Sequence, residues 1–151
     1  MLRQLNTLEC NLYVNDDPVR PHLDSQFRTG LGRKVYAWDV DGEVQAICCL
    51  AFVFDTPKTE EDLELMSFQT EGQPTIVPYT IWSYKPKAGT NLLLALIEKI
   101  KADYKDTPSS YQPKIITLSP KTEMAMKFHL SNGAKLINEN ENTNNFEYDV
   151  Y

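Results

Sequence analysis

The 151-residue sequence contains no apolar run long enough to cross a bilayer. Its longest candidates, VQAICCLAFVF and NLLLALIEKI, have the lengths of a buried strand and a core helix. The opening MLRQLNTLECN lacks the basic-then-apolar layout of a secretory leader. Cysteine is scarce and odd in number: Cys10, Cys48 and Cys49. The adjacent pair points to opposite faces of a strand, which excludes a disulfide framework and a zinc spacing. No metal is therefore expected, and a reducing, cytoplasmic setting is. A basic stripe is also missing. Against 21 acids stand 15 Lys and Arg, leaving a net charge of −6, with acids gathered in TEEDLE and NENENTNNFEYD. Neither a nucleic-acid nor a membrane partner is expected, and an acidic surface chiefly keeps a small protein soluble.

What remains is an ordinary core-forming chain. With 42% apolar residues, no internal repeat and no linker, residues 1–151 predict a single domain. Leu8 to Val14 read as a first strand. DDPVRPHLDSQFRTG carries a helix start, with an acid ahead of Pro18 and a stop at Gly30. In KVYAWDV-DG-EVQAICCLAFVF two β-rich runs flank Asp41-Gly42, the chemistry of a tight hairpin; Cys48 and Cys49 are expected to pack there. KTEEDLELMSF predicts a short helix. PTIVPYTIWSY predicts a strand, in which Pro78 interrupts the ladder or marks a bulge.

From Gly89 to Tyr104 the spacing predicts a helix, with Leu93, Leu96, Ile97 and Ile100 on one face and Glu98, Lys99 and Lys101 opposite. KIITLS follows as a buried strand. Ser119 is expected to cap the next helix, with Pro120 first in it and Glu123 in its first turn, and Asn132-Gly133 to end it. AKLIN and FEYDV close the chain as paired strands. The order β-α-β-β-(α)-β-α-β-α-β-β predicts an α/β (α+β) domain with a mixed sheet covered on both faces.

Chemistry enters at YKPKAGTNLLLALIEKI, Tyr84 to Ile100. A loop feeding a helix supplies free N–H groups and the positive end of the dipole, which bind phosphate without a particular side chain. Gly89 permits close approach, and Lys85 and Lys87 add charge. Most such turns bind nothing, so the loop alone leaves a plain turn as the commoner case. The element order and this strand-loop-helix resemble the GNAT superfamily of acyl-CoA-dependent enzymes, whose pyrophosphate loop reads Gln/Arg-x-x-Gly-x-Gly/Ala. In Tyr84-Lys85-Pro86-Lys87-Ala88-Gly89 only the last glycine is kept; Tyr84 replaces Gln or Arg, and Lys87 the first glycine. A late family pattern, Ala-x-x-Phe-Tyr-x-x-x-Gly, matches AMKFHLSNG (Ala125 to Gly133), with His129 where many members carry a general-acid tyrosine. The resemblance implies a GNAT fold with a mostly antiparallel sheet. It also implies coenzyme A as its acyl-CoA substrate, held at Ile81, Trp82, Ser83, Lys85, Lys87, Ala88, Gly89 and Thr90.

TLSP (Thr117 to Pro120) and FHLSNGAKL (Phe128 to Leu136) are further similar to the C-terminal catalytic domain of malonyl-CoA decarboxylases. That similarity implies Ser119 and His129 as the catalytic pair, over a resemblance running from Thr75 onward. Backbone N–H groups near Ile81 to Ser83 would hold the thioester carbonyl, and Trp82, Leu118 and Phe128 would form an apolar wall. Acetyltransferases usually place a carboxylate base on the strand before the loop, and PTIVPYTIWSY has none; decarboxylation needs none. Three readings stand: a decarboxylase, an N-acetyltransferase with His129 in the tyrosine's place, and a non-catalytic GNAT-derived structural or interaction protein of the kind found in phage genomes. For Ser119 the ordinary reading is helix capping; for His129 it is a boundary residue; for His22 it is solvent. The acyl group and the oligomeric state, a dimer included, stay open.

Overall fold

The computed structural model describes residues 1–68 and 74–150. Among these, eight strands make one sheet. They are β1 (Leu2–Leu5), β2 (Arg33–Val40), β3 (Glu43–Val53), β4 (Thr75–Ser83), β5 (Lys114–Ile116), β6 (Ser119–Pro120), β7 (Lys135–Glu139) and β8 (Thr143–Tyr148). The helices are α1 (Thr7–Cys10), α2 (Ser25–Arg28), α3 (Glu60–Leu65), α4 (Ala88–Asp103) and α5 (Glu123–Ser131). The strand order is β1-β2-β3-β4-β5-β8-β6, with β7 pairing the other side of β8. Every pairing is antiparallel except β4 with β5. The mixed, mostly antiparallel sheet with helices on both faces is the architecture expected.

The β2–β3 hairpin turns at Asp41 and Gly42, whose φ values of 53° and 86° suit a two-residue turn between right-twisted strands. Asp39 Oδ1 accepts the Gly42 amide at 2.8 Å and fixes the turn. Cys48 and Cys49 face opposite sides. Cys48 packs with Leu50, Ile76 and the α4 residues Leu92, Leu93 and Leu96; Cys49 packs with Val35, Ala51, Val77 and Tyr79 beneath the chain that carries α1 to α3.

Two features of β4 position the site. Cys49 pairs with Thr80 but Leu50 pairs with Pro78, so Tyr79 is an extra residue, a bulge that bends the strand. Pro78 has no N–H to offer the ladder, which is why the irregularity falls beside it. In addition, β4 and β5 pair only at Thr75–Lys114 and Ile76–Ile115. Beyond Leu118, whose amide reaches Pro78 O at 3.4 Å, they part. A fork opens in the middle of the sheet.

Three expectations are corrected. Residues Leu8 to Val14 are not a strand: the strand lies earlier, at Leu2–Leu5, and α1 follows. The cause is a capping box, in which the Asn6 side chain accepts the Glu9 amide and Glu9 reaches back to the Asn6 amide. No helix starts at Pro18; α2 is four residues long and is capped by Asp24. Ser119 does not cap α5. Ser119 and Pro120 are β6, paired with Asn144 and Thr143, and Thr122 caps the helix by accepting the Ala125 amide at 3.2 Å. The end of that helix is as expected, with Gly133 at a φ of 95° just beyond it.

Candidate functional site

A cavity of about 220 Å³ fills the fork. One wall is the outer half of β4 from Thr80 to Ser83; Gly89 and Leu93 of α4 lie beside it, Ser119 and Leu118 opposite, and Phe128 and His129 come from α5. Pro18 and Val19 reach it from the other face of the sheet. Trp82, Leu118 and Phe128 thus form the apolar wall the sequence suggested. Among the described residues lining it there is no Asp, Glu, Lys or Arg. The Tyr84 amide bonds Gln45 O on β3 at 2.8 Å. Because backbone groups alternate sides along a strand, the Ser83 and Ile81 amides point into the fork instead.

His129 and Ser119 both reach this cavity, from different elements and with no hydrogen bond between them. His129 is 6% exposed. Its ring stacks on Phe146, with centroids 5.1 Å apart, and meets the edge of Phe128 at 5.2 Å. Nδ1 lies 2.6 Å from the Tyr148 hydroxyl. Burial pulls the imidazole pKa from 6.5 to about 4, and burial pushes the Tyr148 phenol well up. Both groups are therefore neutral at pH 7. Tyr148 has no other acceptor among the described residues, so it donates to Nδ1, and the ring hydrogen sits on Nε2. Nε2 has no partner among the described residues. Ser119 is 2% exposed, and its Oγ lies 2.8 Å from Thr117 Oγ1.

No family model matches this sequence, and no curated protein matches it. Solved structures do match. The PaiA N-acetyltransferase from Thermoplasma acidophilum, solved in complex with coenzyme A, superposes with a TM-score of 0.62 at 11% identity, over 97% of this chain and 96% of that one. AtaT complexed with acetyl-methionyl-tRNAfMet gives 0.60 at 12% identity, over 98% and 93%. The chain has the GNAT fold. A malonyl-CoA decarboxylase from Cupriavidus metallidurans also aligns, with a TM-score of 0.49 at 18% identity, over 80% of this chain. The chain spans 30% of the length of that protein.

The GNAT pyrophosphate-loop pattern now has a physical reading at Lys87. Its φ is 66°, one of two positive values outside glycine among the described residues. Lys87 thus stands in a left-handed conformation that favours glycine. It is also the N-cap of α4. Ala88 N bonds Lys85 O at 3.3 Å and Asn91 N bonds Lys87 O at 3.0 Å, while the Gly89 and Thr90 amides have no partner among the described residues. A Cβ on Gly89 would come within 2.6 Å of Ser83 Oγ, so any larger residue there would have to turn the exposed Ser83 side chain aside. Lys85 leans to Glu43, with 3.7 Å between charged atoms. Ile81, Trp82, Ser83 and Gly89 line the cavity; Lys85, Lys87, Ala88 and Thr90 are not among its lining residues. Tyr84, in the Gln/Arg position, donates to Asp16 at 2.6 Å and accepts from the Trp82 indole at 3.0 Å. Burial pushes its phenol up to about 12.

Sequence reasoning missed the ion network behind the fork. Asp17 and Arg28 form a fully buried pair at 2.8 Å. Burial alone would raise the Asp17 carboxyl; the Arg20 and Val19 amides and the Arg28 guanidinium outweigh it and hold the carboxyl below its usual range. Thr80 of β4 also donates to Asp17, at 3.0 Å. Arg20, 5% exposed, donates to Tyr79 O at 2.5 Å and Leu118 O at 3.2 Å, joining the two sides of the fork, and pairs with Glu60 at 3.0 Å. Of the histidines, His22 is exposed as expected, 2.7 Å from Glu60. Cys48 and Cys49 line no part of the cavity; burial raises both thiols, Cys49 to about 12.

Proposed function

We propose that the protein binds an acyl-CoA in the fork and decarboxylates it, malonyl-CoA or a close relative being the substrate. The observation that carries this reading is the chemistry of the cavity wall, which holds a neutral imidazole and a hydroxyl but no carboxylate. An amine acceptor must lose a proton before it attacks a thioester, and an imidazole with a pKa near 4 is a poor base at neutral pH. Decarboxylation asks for the opposite: a dry pocket, hydrogen donors for a developing enolate, and no negative side chain to repel the substrate's own carboxylate.

The diphosphate would lie at the free Gly89 and Thr90 amides, where the α4 dipole favours an anion. The acyl group would then run along β4 to His129 and Ser119. The bond between Cα and the carboxylate breaks, its electron pair moves to the thioester oxygen, carbon dioxide leaves, and a solvent proton quenches Cα to give acetyl-CoA. His129 acts as a neutral donor through Nε2–H, and the Ile81 and Ser83 amides are placed to share the enolate oxygen. A small-molecule substrate suits an uncharged cavity in a chain of net charge −6. Three unpaired thiols suit a reducing cytoplasm.

Incubation with malonyl-CoA alone should yield acetyl-CoA without an acceptor, and His129→Ala should abolish turnover while leaving CoA binding nearly unchanged. N-acyl transfer is the second reading, favoured by the likeness to the PaiA N-acetyltransferase. It requires an added amine and releases free CoA. Absence of any thermal shift at millimolar CoA would remove both, since a ligand at one hundred times its dissociation constant stabilises by about 2.7 kcal/mol.

A further inference from the structure

We propose that Thr117 is a positioning residue that makes the Ser119 hydroxyl a hydrogen donor into the cavity, fitting the site to an acyl group that ends in a carboxylate. The proposal deepens the acyl-CoA reading above and rests on it.

A hydrogen-bond inventory fixes the direction. Thr117 Oγ1 already accepts the Phe146 amide at 3.1 Å. Its side chain has no exposure, so its own hydrogen cannot reach water. Among the described residues the one acceptor in reach is Ser119 Oγ, at 2.8 Å. Were Ser119 the donor, the Thr117 hydrogen would be buried without a partner, a costly arrangement. Hence Phe146 N–H donates to Thr117, and Thr117 donates to Ser119. The Ser119 hydrogen is left over and makes no hydrogen bond among the described residues, on a side chain that lines the cavity.

Tyr148 does the same for His129 from the next strand, leaving Nε2–H free. Ser119 and His129 thus each present a neutral hydrogen donor to a cavity whose described lining carries no Asp, Glu, Lys or Arg. With His129 turned to the thioester oxygen, the Ser119 hydroxyl can hold a carboxylate without an ion pair. An arginine there would stabilise the ground-state carboxylate more than the transition state that loses it, and would slow its departure. Ser119 is in this arrangement a donor to substrate, neither a base nor a nucleophile.

The test uses two unreactive thioethers, 2-carboxyethyl-CoA and propyl-CoA, with affinities measured by calorimetry on the intact protein. Wild type should prefer the carboxylate by roughly tenfold, the worth of one charge-assisted hydrogen bond. Thr117→Val and Ser119→Ala should lose that preference and keep their affinity for propyl-CoA, while Thr117→Ser should retain it. A Thr117→Val protein with the wild-type preference, or a wild type with none, overturns the proposal. The pattern holding in a protein that leaves malonyl-CoA intact would support the proposal and remove only the decarboxylase reading. Should Thr117→Val not fold, neutron diffraction of wild type in heavy water decides: the deuteron bound to Thr117 Oγ1 supports the proposal, and one on Ser119 Oγ shared with Thr117 overturns it.

Discussion

The neutrality of His129 can be tested without any substrate, through the acid stability of the fold. At pH 7 the ring is uncharged whether the chain is folded or not. On acidification the unfolded chain binds a proton near 6.5, while the folded chain resists until about 4. The folded pKa is the lower one, so the stabilisation is whole above 6.5 and is lost as pH falls toward 4. At 1.36 kcal/mol per pH unit, the loss is about 2 kcal/mol by pH 5 and about 3 kcal/mol by pH 4. Little discount for solvent applies, because the ring is packed between Phe146 and Phe128. His129→Asn can keep an acceptor near the Tyr148 hydroxyl and does not titrate. Urea unfolding of both proteins at pH 7 and pH 5 isolates the effect, since every other group titrates in both. The gap between wild type and variant should change by about 2 kcal/mol. A constant gap would mean a ring that charges freely in the fold, and the neutral-donor role would go with it.

Asp17→Asn should cost about 3–5 kcal/mol in a urea melt, because it strands the Arg28 guanidinium in the interior; removing both charges together should cost less than the sum. Lys87→Gly should stabilise by about 1 kcal/mol, since a left-handed L-residue costs about 1–2 kcal/mol and glycine returns part of that as chain entropy. Gly89→Ala forces a Cβ to 2.6 Å from Ser83 Oγ. The exposed Ser83 hydroxyl can turn aside, so stability in a urea melt should change by less than about 1 kcal/mol, while CoA binding in calorimetry should weaken, with Ser83→Ala restoring much of it. If malonyl-CoA turns over, kcat/KM should show no ionisation near pH 6.5, because His129 does not titrate there; a break at that pH would contradict its neutral role.

Local signals carried most of the fold. Asp41-Gly42, Pro78 and Asn132-Gly133 each made a feature that neighbouring backbone geometry decides, and all three stand in the structure. The N-terminal difference has a local cause: Asn6-x-x-Glu9 is a capping-box spacing and starts α1 where a strand was expected. Ser119-Pro120 misled in the reverse sense, since a serine before a proline reads as a cap while its partner Asn144 lies 25 residues away along the chain, beyond any local pattern. The resemblance singled out His129 and Ser119, and the structure puts both in the lining of one cavity. Thr117 and Tyr148, which lie within hydrogen-bond distance of them, could have been suspected only from alternation: Phe146 and Tyr148 share a face of β8, and Thr117 sits two residues before Ser119. The Asp17–Arg28–Arg20 network was invisible, because its partners meet only when a loop folds across the fork.

That network also explains why an uncharged cavity can sit in so polar a chain. The backbone carbonyls of Tyr79 and Leu118 lose their sheet partners where β4 and β5 diverge, and buried carbonyls must be satisfied. Arg20 satisfies both. Its charge is balanced by Glu60, and the loop that carries it is tied down by Asp17 and Arg28. Each of these charges is committed to another before it can face the cavity, and Pro18 and Val19 are the residues of that loop that do face it. The charged groups hold the fork open; the neutral ones, His129 and Ser119, are left to meet whatever enters it.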